Sequence, residues 1–344
     1  MVGASIPTEP GFAPSCFARC QVGIVIKALN ERANVDRAIQ SALTSTGKLS
    51  TTVVLADSGS TDGTVEAASR YPIHIVQLAN WNEKSCGVGA QLAFQHLDCD
   101  YVYILDGDME LFPEFIPQAV ALLEADLSLA GVAGIVEEHG NGNYEFQRRL
   151  QTGDGVIVGD VDSLDMGGLY RVSHVRAVGY LTNRNLHSYE EKELALRLRT
   201  AGFRLQRINQ PSVRHFGKTQ STGALLVTRW KSHHLDGPGE LLRSALGTPY
   251  FVRSARMFWR PIAVILSWLA LLLSLLALPW SAWPLLIPIA FQAALFLNFL
   301  RREQNLSGAT IAFVNLQVIA ASLARGLLRR QATPAKPIAS IIVR

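Results

Sequence analysis

An α/β fold with a mostly parallel central sheet, followed by apolar C-terminal helices, is what this chain predicts. Three observations carry that expectation. Val- and Ile-rich runs of strand length alternate with amphipathic helical stretches through the first half. A polar cluster closes each of those runs. From Pro261 to Leu300 the chain contains no Asp, Glu, Lys, Arg or His. Short, regular alternation of strand and helix argues for a parallel sheet covered on both faces, and such sheets place ligands at the carboxyl ends of their strands.

Taken in order, Met1 to Ala18 has neither a basic start nor a sustained apolar core, so no secretory signal is expected there. QVGIVIKAL (Gln21–Leu29) reads as a buried strand. In the following NERANVDRAIQSAL, Val35, Ala38, Ile39 and Ala42 line one helical face. TTVVLA (Thr51–Ala56) is the second strand, and TDGTVEAASRY opens a second helix with Thr61 or Asp62 as its cap. IHIVQLA (Ile73–Ala79), CGVGAQLAFQHL and DYVYILDGDME supply a third strand, a third helix and a fourth strand ending in acids. The polar ends are Asn30-Glu31, Asp57 to Asp62, Asn80 to Lys84 and Asp106 to Glu110, so four strand ends build one site.

The second half is less regular. GDGVIVGDVDSLDMGGLYRVSHV suggests strands with a Gly-Gly turn. HSYEEKELALRLRTAGF is a helix with Leu194, Leu196 and Leu198 turned inward and Gly202 as its stop. RLQRIN reads as a short strand and PSVRHFGKTQS as a polar loop.

Charge divides the chain. From Leu246 onward there are ten Lys/Arg and one acid, Glu303, leaving 22 basic and 27 acidic residues before it. Roughly 20 helical residues cross a bilayer, so Pro261–Leu300 fits a pair of spans with its turn at Pro279 to Pro288. Arg253, Arg256 and Arg260 precede the pair and Arg301 and Arg302 follow it, which sets both ends in the cytoplasm. In Ala309–Ala324, Leu316, Ile319, Leu323 and Leu327 share one face, while Asn315, Ser322, Arg325 and Arg329 share another. That suits a helix lying in the interface. Cys16, Cys20, Cys86 and Cys99 form no CxxC pair and read as reduced thiols.

Asp106 and Asp108 stand two apart in LDGDME. A cation is the usual reason to keep two such carboxylates ionised, and Mg²⁺ or Mn²⁺ suits them; a solvated strand end is the alternative. Asp57 could accept hydrogen bonds from a base or ribose, and Ser58, Gly59 and Ser60 offer N–H groups beside a helix start.

In order and spacing, VGIVIKALNERANVDRAIQSAL, ADSGSTDGT, LDGDME, GGLYRVSHVRAVGYL and YEEKELALRLRTAGFRL resemble the family 2 inverting glycosyltransferases of GT-A fold, over about Gln21 to Gly217. The resemblance implies transfer of a sugar from a nucleotide diphosphate sugar to an acceptor hydroxyl or phosphate. It implies that Asp57 contacts the nucleotide base with Ala28 and Glu31 nearby, and that Ser58 and Lys84 also face the nucleotide sugar. Asp106 would meet the ribose or the metal, Asp108 the metal, and His215 the metal or diphosphate, unless His215 is a lone surface histidine. Gly167 and Gly168 would let the chain approach a sugar. Glu191 falls where the catalytic base is expected, with Glu190 as the alternative. Lys27 stands where proline is more usual, and Leu226 where a processive synthase has Gln before Arg229-Trp230, so a single-addition enzyme is expected.

The implied organisation is a loose leader at 1–20, a GT-A catalytic domain at 21–245 and a basic juxtamembrane segment at 246–260. A transmembrane hairpin at 261–300 follows, then an interfacial helix and basic tail at 301–344. The implied setting is a bacterial inner membrane, multi-pass, with the catalytic domain cytoplasmic. The expected partners are a nucleotide sugar, a lipid-linked or saccharide acceptor and the membrane, and no nucleic acid. Two other readings stand beside it: a polyprenyl-phosphate sugar transferase, and a membrane scaffold whose domain only binds nucleotide. A dinucleotide-binding fold is excluded, since no GxGxxG follows any strand.

Overall fold

The computed structural model describes residues 17–139, 157–217 and 221–344. The expected leader lies outside the described residues up to position 16. The chain divides into two units: one of Met1–Leu186, Glu190–Thr222 and Ala332–Arg344, the other of His187–Tyr189 and Gly223–Gln331.

The first unit is built on one sheet. Its strands are β1 (Cys20–Ala28), β2 (Thr51–Asp57), β3 (His74–Leu78), β4 (Cys99–Asp106), β5 (Met109–Leu111), β6 (Leu129–His139), β7 (Gly159–Asp160), β8 (Gly168–Arg171), β9 (Arg204–Phe216) and β10 (Ser340–Ile342). Its helices are α1 (Val35–Thr44), α2 (Thr64–Ala68), α3 (Cys86–Phe94), α4 (Phe115–Ala125), α5 (Val172–Ala177) and α6 (Glu190–Thr200). The strand order is β10-β3-β2-β1-β4-β8-β6-β9-β5, with β7 also on β9. β1, β2, β3 and β4 pair in parallel, as do β6 and β9. β5, β7, β8 and β10 run antiparallel to their neighbours, so the sheet is mixed beyond its parallel nucleus.

Alternation in β1 and β4 sends side chains to two cores. Val22, Ile24 and Ile26 join Tyr103, Leu105 and the buried faces of α1 and α4 on one face. Val25, Val102 and Ile104 meet α3 and α6 on the other. The strands are therefore buried on both sides, which is why they read as near-continuous apolar runs.

Three local expectations are corrected. β9 is one strand of 13 residues rather than a short strand and a loop. Pro211, which lacks an N–H, is accommodated where the β6–β9 register shifts beside Ile135. LDGDME does not end a single strand. The chain turns at Gly107, whose N–H donates to the Lys27 carbonyl at 2.9 Å, and Met109–Leu111 pairs with β9 instead. A side chain at 107 would collide with Glu31 and the Lys27 carbonyl, so glycine is required. Residues 340–342 of the expected tail form β10 against β3.

The second unit holds α7 (Thr222–Lys231), α8 (Gly237–Ala245), α9 (Phe251–Met257), α10 (Trp259–Leu276), α11 (Leu286–Glu303) and α12 (Leu306–Leu328). α10, α11 with its preceding turn, and α12 are each long and apolar enough to cross a membrane. Val264, Phe299, Ala309, Ala312, Leu316 and Ala320 form their common core. The third helix runs for 23 residues, beyond both ends of Ala309–Ala324.

Candidate active site

Parallel register lines up the strand ends. Ala28 pairs with Asp57, Asp57 with Gln77, and Lys27 with Asp106. Each of these positions is the last turn of a strand before a loop, so the polar ends that the sequence separates by tens of residues become neighbours.

The loop after β2 is held by its own polar groups. Asp57 is buried, and its carboxylate accepts from the N–H groups of Gly59 and Ser60, both at 3.2 Å, and from Gln77 Nε2 at 3.1 Å. The Asn30 N–H donates to Ser60 Oγ at 2.8 Å, and the Thr61 N–H to Asn30 Oδ1 at 2.9 Å. Arg32 N–H donates to Asp62 at 3.0 Å, and Glu31 N–H to Thr64 Oγ1 at 2.9 Å. The hydroxyls and carboxylates of DSGSTDGT thus clasp the loop after β1. α2 is capped by Gly63, at φ +90 and with no side-chain cap, and not by Thr61 or Asp62 as expected; Asp62, one residue earlier, accepts from the Thr64 N–H at 3.1 Å. Ala28 and Ser58 are buried and joined through the Ser58 N–H at 3.0 Å; Lys84 is exposed. Gly59 lies against the Trp81 indole, which is 53% exposed.

At the centre stands a residue that sequence reasoning noted only as a departure. Lys27 Nζ lies 2.7 Å from Asp106 and 2.9 Å from Glu190, with its side chain 12% exposed. Burial works against the ammonium, but Asp106 and Glu190 outweigh it and hold Lys27 well above its ordinary range. Glu190 and Glu191 occupy the first turn of α6, where the helix dipole favours carboxylates. Glu191 accepts from Tyr170 OH at 3.2 Å. Burial raises the Glu191 carboxyl well above the usual carboxylate range, although Lys27 opposes the shift. Two residues on, Glu193 and Arg197 form a buried pair at 2.9 Å, and Arg197 also donates to the carbonyls of Val178, Tyr180 and Leu181. That anchor fixes α6, and only the i,i+4 spacing of opposite charges announced it.

The second cluster lies across the Gly107 turn. β9 sets His215 opposite Met109 of β5 and Glu138 of β6. His215 Nδ1 is 2.8 Å from Glu138, and Nε2 is 3.6 Å from Asp108. Burial pulls the imidazole down, but Asp108 and Glu138 outweigh it and push it up to about 10. A carboxylate orienting one ring nitrogen while the other faces a second carboxylate is the arrangement of a histidine metal ligand with its outer partner. Asp108 and His215 therefore fit a hard divalent ion. Asp106 is held by Lys27, and among the described residues no three His, Cys, Asp or Glu side chains converge as a complete ligand set. Such an ion would draw its remaining ligands from water and substrate oxygens.

Gly167 and Gly168 make close approaches of a different kind from the one expected. A side chain at 167 would strike Tyr103 OH, and one at 168 would strike Leu164. Both glycines are small because the protein's own core presses on them. Gly167, at φ +72, accepts from Tyr103 OH at 3.0 Å.

Residues 23–193 match the family described as Glycosyl transferase family 2. A dolichol-phosphate mannosyltransferase of Pyrococcus furiosus is 24% identical over 145 residues, 41% of this chain and 41% of that protein. The matched stretch thus spans less than half of that relative's length. The solved structure of the mannosyltransferase PcManGT from Pyrobaculum calidifontis, in complex with GDP-Man and Mn²⁺, superposes with a TM-score of 0.55 at 17% identity. It covers 92% of this chain and 89% of that one, a likeness of fold.

Proposed function

We propose, since residues 23–193 belong to Glycosyl transferase family 2, that this chain is an inverting glycosyltransferase moving a sugar from a nucleotide diphosphate donor to a lipid-linked acceptor. The observation that carries the reading is the Asp106–Lys27–Glu190 bridge with Glu191 beside it, at the carboxyl ends of β1 and β4. In it, the clasped loops at Asn30–Asp62 position the nucleoside, and Asp106 faces the ribose. Asp108 and His215 would hold a divalent ion, Mg²⁺ or Mn²⁺, which would supply positive charge for a departing diphosphate. Glu191 takes the proton of the attacking hydroxyl. A desolvated carboxyl with raised proton affinity suits that task at neutral pH, and Tyr170 holds its orientation. The apolar helices support a bilayer setting, in which an acceptor carried by lipid reaches an enzyme fixed at the surface.

One observation favours a second acceptor. The curated relative is named for dolichol phosphate, and a phosphate oxygen attacks without a strong base. Glu191→Gln separates the two. For a hydroxyl acceptor, transfer falls by about 10²-fold or more, while donor binding measured by calorimetry with Mn²⁺ changes less than about twofold. For a phosphate acceptor, transfer survives. The donor class follows from the same titration run with UDP, GDP, ADP and CDP. A folded chain that binds none of them defeats the transferase reading. Ionised Glu191 is the active form, so kcat/KM for a hydroxyl acceptor rises with pH from below the raised Glu191 value to a plateau above it. A flat acid side of that profile removes Glu191 from the role.

A further inference from the structure

The turn after β3 holds a large aromatic side chain at the surface, against the loop that closes on Asp57. Trp81 opens the short 3-10 turn Trp81–Glu83, and its indole is about half exposed. The ring has a partner on one side. Its Cγ, Cδ1 and Cδ2 atoms lie 2.9–3.1 Å from where a Cβ at residue 59 would stand, a position that Gly59 leaves open. Gly59, at φ +96, donates its N–H to the Asp57 carboxylate at 3.2 Å. Gln77, near the end of the strand that leads to Trp81, donates to the same carboxylate at 3.1 Å.

An isolated exposed tryptophan is ordinary on a protein surface. This one is held in place. Asn80 Oδ1 accepts from the Asn82 N–H at 3.2 Å, and Asn80 Nδ2 donates to Glu83 at 3.2 Å. Glu83 is paired with Arg184, whose side chain is buried. Arg184 also donates to the carbonyls of Lys336 and Pro337 at 2.9 and 3.2 Å, and its own carbonyl accepts from Ser85 Oγ at 2.8 Å. Ser85 in turn caps α3 by accepting from the Val88 N–H at 3.1 Å. The turn is thus fixed to three other parts of the sheet unit while its largest apolar side chain stays in water. Apolar surface gains by leaving water, and a flat group laid on the indole would achieve that without moving the turn.

We propose that Trp81 is the stacking platform for the base of the donor nucleotide. A base offers a planar π surface, and aromatic rings bind it face to face. Every base has such a face, so the indole supplies affinity and leaves the choice among bases to the hydrogen-bonding groups of the Asn30–Asp62 loops. Lys84, which is exposed, closes the same turn by donating its N–H to the Trp81 carbonyl at 3.3 Å. One turn therefore carries an aromatic surface suited to a base and an ammonium suited to a diphosphate. The inference rests on reading these strand ends as a nucleotide site, and not on Glu191 or on the acceptor.

The test uses the full chain and the four nucleoside diphosphates UDP, GDP, ADP and CDP with Mn²⁺. Trp230, Trp259, Trp268, Trp280 and Trp283 all fall within Gly223–Gln331, so Trp81 is the one tryptophan of the sheet unit. The nucleotide that binds by calorimetry is expected to quench part of the tryptophan emission. In Trp81→Phe that quenching is lost while affinity stays within about threefold, and Trp81→Ala binds about tenfold more weakly or worse, at an unchanged melting temperature. Undiminished affinity in Trp81→Ala overturns the proposal and leaves the transferase reading standing. Weaker binding in Trp81→Ala without quenching in the unaltered chain means that the indole only braces the Gly59 loop, which overturns it as well. If the unaltered, folded chain binds none of the four, the proposal falls together with the nucleotide site on which it rests.

Discussion

At Lys27 one ammonium serves two carboxylates, Asp106 at 2.7 Å and Glu190 at 2.9 Å, and among the described residues neither acid has another cation so close. Removing one partner of a buried ion pair leaves uncompensated charge, which costs more than the pair itself contributes. Lys27→Met is therefore expected to lower stability by about 3 kcal/mol, less than the deepest pairs because Asp106 retains 32% of its side-chain surface. Adding Asp106→Asn and Glu190→Gln should restore most of it. Chemical denaturation of the single and triple variants decides the matter, and an unchanged midpoint in Lys27→Met would sink the account. Lys27 was visible in the sequence only as an oddity, because nothing local tells a lysine on a strand that its partner lies 163 residues away. Asp57 and the two glycines at 167 and 168 teach the converse. Their residue types were legible, but each also serves the fold, Asp57 by closing its own turn and the glycines by yielding to Tyr103 and Leu164.

Among the elements, α6 shows how local pattern and tertiary packing divide the work. Its extent was readable from the leucines and from Gly202, which stands at φ +88 after the last turn. Its position was not. Glu193 and Arg197, with side chains 0% and 8% exposed, pin it, and Arg197 collects three carbonyls beyond its partner. Arg197→Met should cost about 3–5 kcal/mol and shift Glu190 and Glu191 together, so donor-independent stability and transfer fall in the same variant. A loss below about 1 kcal/mol, the range of a surface pair, would mean that the anchor lies elsewhere. β9 was the element least legible in advance. Pro211 argued for a loop, and only the register shift opposite Ile135 allows the strand to continue to His215. Without that continuation His215 would not face Asp108.

Across the whole molecule, the last thirteen residues close the edge of β3. A chain ending at Gln331 would expose the unpaired groups of that strand, a template for association between copies. It should remain folded at its core, since β1, β2 and β4 keep their partners, but sediment as aggregates that the full chain does not form. A monodisperse truncated chain would show that β10 is not needed to cover the edge. What the sequence by itself determined is everything written within a dozen residues: the strands and helices of the parallel nucleus, the polar strand ends, the uncharged hairpin and the basic flank of α12. Such features follow from periodicity and composition, which the side chains impose on their immediate backbone. What only the tertiary structure decided is which distant groups meet. It set Lys27 between Asp106 and Glu190, brought His215 to Asp108, and returned the end of the chain to β3. Hydrophobicity measures what a helix tolerates, whereas the pairing of β10 with β3 fixes where the chain must return after its apolar helices.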